Sequence, residues 1–488
     1  MNRFSRRSLL KSSAMLTGAG LIAPNGLAAK VAAGRGGKNG GKRPNILFIL
    51  VDDMGYADLS CYGRSDYQTP ALDGLARQGV RFTQAYANAA VCSATRTALI
   101  TGRYQNRLAV GLEEPLGSRD LGLPPEHPTL PSLLRQQGYD TFLIGKWHLG
   151  SLPKYGPQQS GYDHFWGFRG GGVDYFTHKF MGHHDLWDDG QEIDRTGYLT
   201  DLLADHAISV IDEQAKASRP FFMSLHFNAP HWPWEGPGDE AEAKRIDESP
   251  NPAAIMHYDG GSMKTYAEMV TRLDEQIGRI LARLDQLGLG KDTIVIFTSD
   301  NGGERFADTW PFNGRKTELL EGGLRVPAIV RWPGHAPAGA TSEQTIMSMD
   351  WLPTLLAAAG GAPDPAYPSD GMDLARFLAD PAARQDRTLC WRYKNNDQQA
   401  CRKGDWKYLK ILDNSFLFNV VADPMERANL KLREPAKYAE LKAAYDLWES
   451  QMLPLSPEVQ SHGFTGADLA DHYGAKIQNS VDKSGPAR

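Results

Sequence analysis

The chain has 488 residues, of which 41% are hydrophobic and 23% are charged, and its formal net charge is −5. This length leaves room for roughly two or three domains with a sizeable core. The composition is typical of a soluble globular protein, and its slightly acidic balance argues against a nucleic-acid partner. The four cysteines, which are Cys61, Cys92, Cys390 and Cys401, exclude a disulfide scaffold and offer no Cys-x-x-Cys zinc site.

The N-terminus has the pattern of an export signal. Arg6 and Arg7 precede a mildly apolar run from Met15 to Ala29, as in bacterial twin-arginine signals. Glycines and a proline in that run make it a poor membrane-spanning helix. We therefore expect residues 1–33 to be a signal peptide for the Tat export machinery, followed by a flexible linker at 34–43. The mature protein is predicted to be periplasmic or secreted.

From Pro44 onward the chain alternates between apolar runs and helical patterns, which predicts an α/β fold with a mostly parallel sheet flanked by helices. Four apolar runs have the length of strands buried on both faces. They are residues 45–51, 139–144, 220–227 and 293–299. The helical patterns cover residues 71–78, 131–137, 200–214 and 266–287. Open sheets of this kind bind ligands beyond the carboxyl ends of their strands.

Polar side chains follow the first three runs. Asp52 and Asp53 end the first, and two carboxylates there are costly to bury unless a cation or cationic side chains compensate. Lys146 and His148 follow the second and would point to the same side of an extended backbone, although such a pair is more often exposed. His231 follows the third in a loop that prolines stiffen; a structural or solvated histidine is the alternative.

A helix is predicted to open at Cys92 and to end at Gly102 in a left-handed cap. The N-terminus of a helix favours an anion, and Arg96 lies four residues on, so its guanidinium can rise beside Cys92. The alternative is a small buried core cysteine with a surface arginine.

Asp300 and Asn301 follow the fourth run and offer hard oxygen ligands, and two glycines after them let the backbone approach closely. A plain Asn-Gly turn would explain the same residues. Lys316 comes after a glycine turn further along the chain. Taken alone, it would be an exposed surface lysine.

Residues 162–190 are rich in glycine, aromatic residues and histidine, and they lack periodicity, which indicates a functional loop. Aromatic faces suit sugar rings. We therefore expect a substrate rim formed by Asp174, His178, Trp232 and Trp234.

A smaller α+β domain is predicted over residues 386–455, after a larger domain at 44–385 and before a polar tail at 456–488. Its short strands are expected at residues 388–393, 406–412 and 416–419, and its helix at 435–451. Cys390 and Cys401 flank a polar loop and could pair across a hairpin in an oxidising compartment. No role follows from the sequence for Cys61.

The pattern Cys-x-Ala-x-Arg from Cys92, followed by Thr-Gly-Arg, resembles the signature of type I sulfatases, and six motif blocks match in family order from about Arg43 to about Leu430. The resemblance implies an alkaline-phosphatase-like fold and a cysteine that a formylglycine-generating enzyme oxidises to formylglycine (3-oxoalanine). It implies one divalent cation, Ca²⁺ or Mg²⁺, whose ligands would be Asp52, Asp53, Cys92, Asp300 and Asn301. The residues implied for sulfate binding and proton transfer are Arg96, Lys146, His148, His231, Asp300 and Lys316.

The implied mechanism begins with hydration of the aldehyde at position 92. One hydroxyl, held by the cation, attacks sulfur with Asp300 as its base, and His231, with Lys316, protonates the departing alcohol. His148 then deprotonates the second hydroxyl, so that sulfate is expelled and the aldehyde returns.

The substrate rim is most similar to that of the arylsulfatase and N-acetylgalactosamine-4-sulfatase branch, which implies a sulfated carbohydrate or an aryl sulfate as substrate. A phosphonate or phosphodiester hydrolase on the same scaffold is the first alternative. The related alkaline phosphatases hold two zinc ions with extra histidines, and Asp300-Asn301 departs from that pattern. A sulfated-glycan-binding pseudoenzyme is the second alternative, and the complete set of candidate residues argues against it.

Overall fold

The computed structural model describes residues 43–115 and 119–459. The predicted signal peptide, the linker apart from Arg43, and the tail from residue 460 onward lie outside the described residues. Within the described ranges, every helix is too short or too polar to cross a membrane.

The main sheet has ten strands in the order β13-β2-β12-β11-β1-β10-β4-β5-β8-β9. Its strands are β1 (Asn45–Val51), β2 (Val80–Phe82), β4 (Asp140–Lys146), β5 (His164–Phe168), β8 (Trp187–Asp188), β9 (Gln191–Glu192), β10 (Phe221–His226), β11 (Thr293–Ser299), β12 (Ala328–Arg331) and β13 (Ala340–Ser342). The central strands β11, β1, β10, β4 and β5 are parallel, and β12, β8 and β9 pair antiparallel with their neighbours. Two short pairs lie outside this sheet, β3 (Ala85–Tyr86) with β14 (Ile346–Met347) and β6 (Lys179–Phe180) with β7 (His183–His184).

Helices cover both faces of the sheet. They are α1 (Pro70–Gln78), α2 (Cys92–Thr101), α3 (Leu130–Gln136), α4 (Leu199–Gln214), α5 (Glu240–Asp247), α6 (Met263–Gln286), α7 (Glu321–Leu324), α8 (Trp351–Ala358) and α9 (Ala375–Ala379). Leu47, Ile49 and Val51 of β1 pack in one core with α1, α4 and α6. The alternate residues of β1 pack in a second core with α3 and α8. Burial on both faces explains why this strand reads as a continuous apolar run.

The C-terminal part is a four-stranded antiparallel sheet with one helix against it. Its elements are β15 (Thr388–Tyr393), β16 (Gln398–Lys403), β17 (Trp406–Ile411), β18 (Asn414–Asn419) and α10 (Pro435–Glu449). The predicted fold class, a mostly parallel sheet with helices and a smaller C-terminal α+β part, is confirmed. The exact domain boundaries stay a prediction.

Two expectations about local structure are wrong. Residues 162–190 are not simply a loop, because Phe165, Trp166 and Phe168 are buried in β5, which pairs with β4 in the main sheet. The backbone is also not extended at His148, whose φ is 56°, so the side chains of Lys146 and His148 are not related by the alternation of a strand.

Candidate active site

Four parallel strands deliver the polar residues of the site. Asp52–Asp53 directly follow β1, Asp300–Asn301 directly follow β11, and Lys146 ends β4, while His231 lies in the loop after β10. These strands are neighbours and run in the same direction, so their carboxyl ends meet at one edge of the sheet.

Cys92 enters this edge from the first position of α2. The ten residues of α2 are all buried, and Gly102 ends the helix in a left-handed conformation with φ 65°, as predicted. One ligand atom of each of Cys92, Asp52, Asp53 and His231 lies within 4.8 Å of the others. Burial and the nearby Asp52 carboxylate raise the pKa of the Cys92 thiol well above its ordinary value, so the thiol stays protonated.

Asp53 is the centre of the hydrogen-bond network. Its Oδ1 accepts a bond from Asn301 Nδ2 at 2.7 Å, its Oδ2 accepts one from Lys316 Nζ at 2.6 Å, and His231 Nε2 lies 3.5 Å from Oδ2. Burial acts to raise the pKa of Asp53, but the charges of Lys316 and Lys146 outweigh it and hold the pKa below its usual range.

Asp52 and Asp300 are paired with the other two cationic side chains. Lys146 Nζ donates to Asp52 Oδ2 at 2.6 Å, and Arg96 donates to Asp300 Oδ2 from Nε at 2.9 Å. Burial and the neighbouring Asp52 charge raise the pKa of Asp300 to about 7, in spite of Arg96. Arg96 is therefore a buried partner of the site and not a surface charge.

The two histidines differ in their partners. His231 Nδ1 lies 2.7 Å from the carbonyl of Trp232. Because a carbonyl can only accept a hydrogen bond, Nδ1 holds the proton of the neutral ring. The unprotonated Nε2 faces Asp53. Neither ring nitrogen of His148 has a hydrogen-bond partner within the part of the chain that the structure describes. Burial and the charge of Lys146 or Lys316 lower both histidine pKa values well below the ordinary one, so both imidazoles are neutral.

Three residues of the site region have left-handed backbone conformations that only glycine adopts freely. They are Asp53, His148 and Thr317, with φ of 63°, 56° and 72°. Such conformations cost a non-glycine residue about 1–2 kcal/mol, and they concentrate where function fixes a geometry. Three of the segments that carry the polar cluster therefore hold strained backbone.

Four residues near the site escaped the sequence reasoning. Glu304 Oε2 lies 3.5 Å from Lys316 Nζ, and burial raises the pKa of Glu304 to about 8. His226 Nδ1 lies 3.3 Å from Arg96 Nη1. A Cβ on Gly171 would lie 2.7 Å from the His148 ring, and one on Gly172 would lie 3.2 Å from His231 Cε1. The only signals were that Glu304 follows the Asp300 turn and that His226 ends a strand.

The four residues expected at a substrate rim are all buried, with at most 6% of each exposed. Trp232 borders the site, with its ring centroid 4.2 Å from that of His231. Asp174 Oδ1 accepts bonds from the backbone of residues 176 and 177, and His178 Nε2 lies 3.2 Å from the carbonyl of Gly197. Trp234 packs edge-on against Phe306. The structure thus brings Trp232 to the cluster and sets the other three in packed surroundings.

The fold and this cluster define an α/β enzyme with three cationic side chains and three carboxylates buried together at the carboxyl edge of its sheet. A model of the sulfatase family matches residues 44–362, and the chain belongs to that family and is a sulfatase. The family prediction and the alkaline-phosphatase-like fold are thereby confirmed. The chain is 33% identical to N-acetylgalactosamine-6-sulfatase of Canis lupus familiaris over 406 residues, which cover 77% of this chain and 73% of the relative.

Two solved structures also superpose well on this chain. The crystal structure of Ps i-CgsB in complex with k-i-k-neocarrahexaose superposes with a TM-score of 0.76 at 30% identity, covering 85% of this chain and 94% of the other. A second structure, of a protein in complex with its substrate D-glucosamine-2-N,6-O-disulfate, superposes with a TM-score of 0.65 at 25% identity, covering 84% and 98%.

Proposed function

We propose that this sulfatase removes sulfate from a sulfated carbohydrate or an aryl sulfate with formylglycine at position 92 and one divalent cation. The observation that carries the proposal is that Cys92 lies with Asp52, Asp53 and His231 in one buried cluster. Three buried cationic side chains pair with the carboxylates that follow two strands, and they are Arg96, Lys146 and Lys316. With a divalent cation bound, the positive charges would outnumber the three carboxylates, so the site would bind an anion and stabilise negative charge that spreads over its oxygens.

Asp52, Asp53, Asp300 and Asn301 would hold the cation, with residue 92 completing the set. Among the described residues, Asp52 Oδ1 and Asn301 Oδ1 are buried oxygens without a hydrogen-bond partner. Burying such atoms is costly unless something binds them, so the donor set fits a cation. Oxygen ligands favour Ca²⁺ or Mg²⁺ over zinc, and the bound cation would supply Lewis-acid polarisation of an oxygen.

Cys92 is a poor nucleophile as it stands, because its raised pKa keeps it a thiol. A sulfur nucleophile would also form a thiosulfate-like adduct with no second hydroxyl to expel sulfate. Oxidation to formylglycine by a formylglycine-generating enzyme would supply a hydrate with two hydroxyl groups, one to attack and one to release the product.

Arg96, Lys146 and Lys316 would bind the sulfate oxygens. Each is already held by a carboxylate, at 2.6 to 2.9 Å, so its position is fixed before substrate arrives. Burial raises the pKa of Glu304, 3.5 Å from Lys316 Nζ, which weakens its opposition to a bound anion.

Asp300, which Arg96 Nε holds at 2.9 Å, would accept the proton of the attacking hydroxyl. His231, supported by Lys316, would protonate the departing alcohol from Nε2. The charge of a bound sulfate ester offsets that of Lys316 and so favours the protonated imidazole. His148, whose ring nitrogens are not engaged by other described residues, would deprotonate the second hydroxyl.

The proposed substrate class follows from the relatives, which include a galactosamine sulfatase and a protein solved with a glucosamine disulfate. Trp232, beside His231, is the aromatic side chain best placed to contact a sugar. From their buried positions, Asp174, His178 and Trp234 would then support the segments around Trp232. Export by the Tat machinery to the periplasm or outside remains part of the proposal.

The test is sulfate release from a panel of sulfated saccharides and from an aryl sulfate, using protein produced with a formylglycine-generating enzyme. Mass spectrometry should find an aldehyde in place of the Cys92 thiol in the active protein. Cys92→Ala should be inert, and Cys92→Ser should keep its metal but lose turnover or stall as a sulfated serine. Full activity in Cys92→Ala, or faster hydrolysis of matched aryl phosphonates than sulfates, would overturn the proposal.

A further inference from the structure

Two cysteines that the catalytic site does not use face each other in the C-terminal sheet. Cys390 on β15 is the direct partner of Cys401 on β16 in the antiparallel register. Their Sγ atoms lie 3.1 Å apart, and both residues are buried with at most 1% exposed. This separation is only about 1 Å longer than a disulfide bond of roughly 2.05 Å.

The backbone at this pair also has the geometry that a cross-strand disulfide needs. β15 is the edge strand of the sheet, and the Cys390 N–H donates to the hydroxyl of Tyr104 at 3.4 Å, on the side away from β16. Residues whose N–H groups point away from the partner strand form the non-hydrogen-bonded pairs of an antiparallel ladder, in which Cα atoms approach to about 4.5 Å. That distance lies within the range of about 4.4–6.8 Å found in disulfides.

We propose that Cys390 and Cys401 form an intramolecular disulfide that staples the β15–β16 hairpin in an oxidising compartment. The oxidant is a protein or small-molecule disulfide. A thiolate of one cysteine attacks that disulfide and forms a mixed disulfide with it, and the second cysteine displaces the remaining sulfur. One S–S bond is broken and one is formed in the chain, and the oxidant leaves as two thiols that carry the two protons. Because both thiols are buried, the exchange takes place during folding or transient opening of the hairpin.

The hairpin connects the small sheet to the main domain, so a disulfide within it would stabilise that connection. Trp391, next to Cys390, donates from Nε1 to the carbonyl of Ala87 at 2.9 Å, five residues before Cys92. On the partner strand, three residues before Cys401, Gln398 accepts a bond from the backbone of Leu319. A crosslink between the two strands therefore braces contacts that each strand makes with the main domain.

Cys61 is an internal control, because it is a cysteine that is not expected to form a disulfide. Cys61 is partly exposed, its backbone N–H donates to Asp73 and its carbonyl accepts from Arg81, and it has no cysteine neighbour among the described residues. Trypsin cuts at Arg392 and Lys394, so Cys390 and Cys401 fall on separate peptides that only a disulfide would join.

The experiment is non-reducing peptide mapping of the full chain after incubation in an oxidised glutathione buffer and alkylation in denaturant. We expect the peptides 388–392 and 395–402 to be linked, two hydrogen masses below their sum, and Cys61 to be alkylated. Both peptides alkylated, or either one linked to Cys61 or to a second chain, would refute the proposal.

A stability measurement tests the staple itself. A reductant should lower the Tm of the oxidised protein and of Cys61→Ala, and should leave the Tm of the double variant Cys390→Ala/Cys401→Ala unchanged. An oxidised protein whose Tm is the same with and without reductant would show that the hairpin is not stapled. Neither measurement uses activity, so the outcome is independent of the proposed catalytic mechanism.

Discussion

The side chain of Gln398 ties the small C-terminal sheet to the loop that carries Lys316, and Gln398→Ala tests whether that contact positions the lysine. Gln398 Oε1 accepts a bond from the Leu319 N–H at 2.8 Å. Its Nε2 donates to the carbonyl of Thr317 at 2.8 Å and to that of Asn395 at 3.0 Å. Two of these three bonds therefore belong to residues that closely follow Lys316.

The substitution leaves two buried backbone groups of this loop without partners, at a cost of about 1–3 kcal/mol each. Thr317 is also held at φ 72°, which costs roughly 1–2 kcal/mol. Movement of the loop relieves both penalties and displaces Lys316 Nζ from its position 2.6 Å from Asp53 Oδ2. Because about 1.4 kcal/mol is tenfold in rate, we expect kcat/KM to fall about 10- to 100-fold.

The assay compares a sugar sulfate with an activated aryl sulfate. If Lys316 helps His231 to protonate the departing oxygen, Gln398→Ala should slow the sugar sulfate far more, since its leaving group is more basic. Gln399→Ala is the matched control, because Gln399 is the next residue on β16 and is only partly buried. It should leave both rates close to those of the unchanged protein.

A double-mutant cycle decides whether the effect passes through Lys316. In a Lys316→Ala background, Gln398→Ala should cost little further activity. If the losses of kcat/KM in the two single variants multiply in the double variant, Gln398 acts on stability or on another residue. The proposed link from Gln398 to Lys316 is then wrong. Equal losses on both substrates would refute it as well.

Three further predictions follow from the site. Asp53→Ala should abolish retention of the cation, measured by elemental mass spectrometry as Ca²⁺ or Mg²⁺, and strong chelation should inactivate the unchanged protein; full activity without metal would contradict the assignment. His231→Ala should slow sugar sulfates by about 10²–10⁴ but activated aryl sulfates much less, whereas equal losses would show that His231 only binds. Gly171→Ala places a methyl 2.7 Å from the His148 ring, so sulfate release should slow while a first burst of alcohol persists. Gly190→Ala, with no atom near its added methyl, is the control, and an unchanged steady-state rate in Gly171→Ala would refute the role of His148.

The parts of this fold that could be predicted are those with local signals. β1 is buried on both faces, so its seven residues form a continuous apolar run that marks a central strand. β16 gave no such signal, because its sequence QQACRK is mostly polar. It is a strand only because β15 and β17 pair with it on either side, which is a long-range effect.

The same distinction applies to the site. Asp52, Asp300 and Lys146 could be proposed because they end apolar runs that had to become neighbouring strands. Glu304 and Gln398 could not be proposed, because each gains its importance from contact with one loop, and that contact exists only after the chain has folded. The residues that would do chemistry lie at strand ends, whereas those that hold them in place are scattered along the chain.

The small C-terminal sheet is therefore part of the structure that supports the candidate active site. The loop that carries Lys316 leads into α7, whose first residue, Glu321, is bound at Oε1 by Lys407 Nζ at 2.9 Å. Lys407 lies on β17, is fully buried, and has Glu426 at the same distance on its other side. Removing one member of such a buried ion pair is strongly destabilising, by about 3–5 kcal/mol, because it leaves an uncompensated charge. With Gln398 near the start of the loop and Lys407 at its end, the position of Lys316 depends on a sheet more than 70 residues further along the chain.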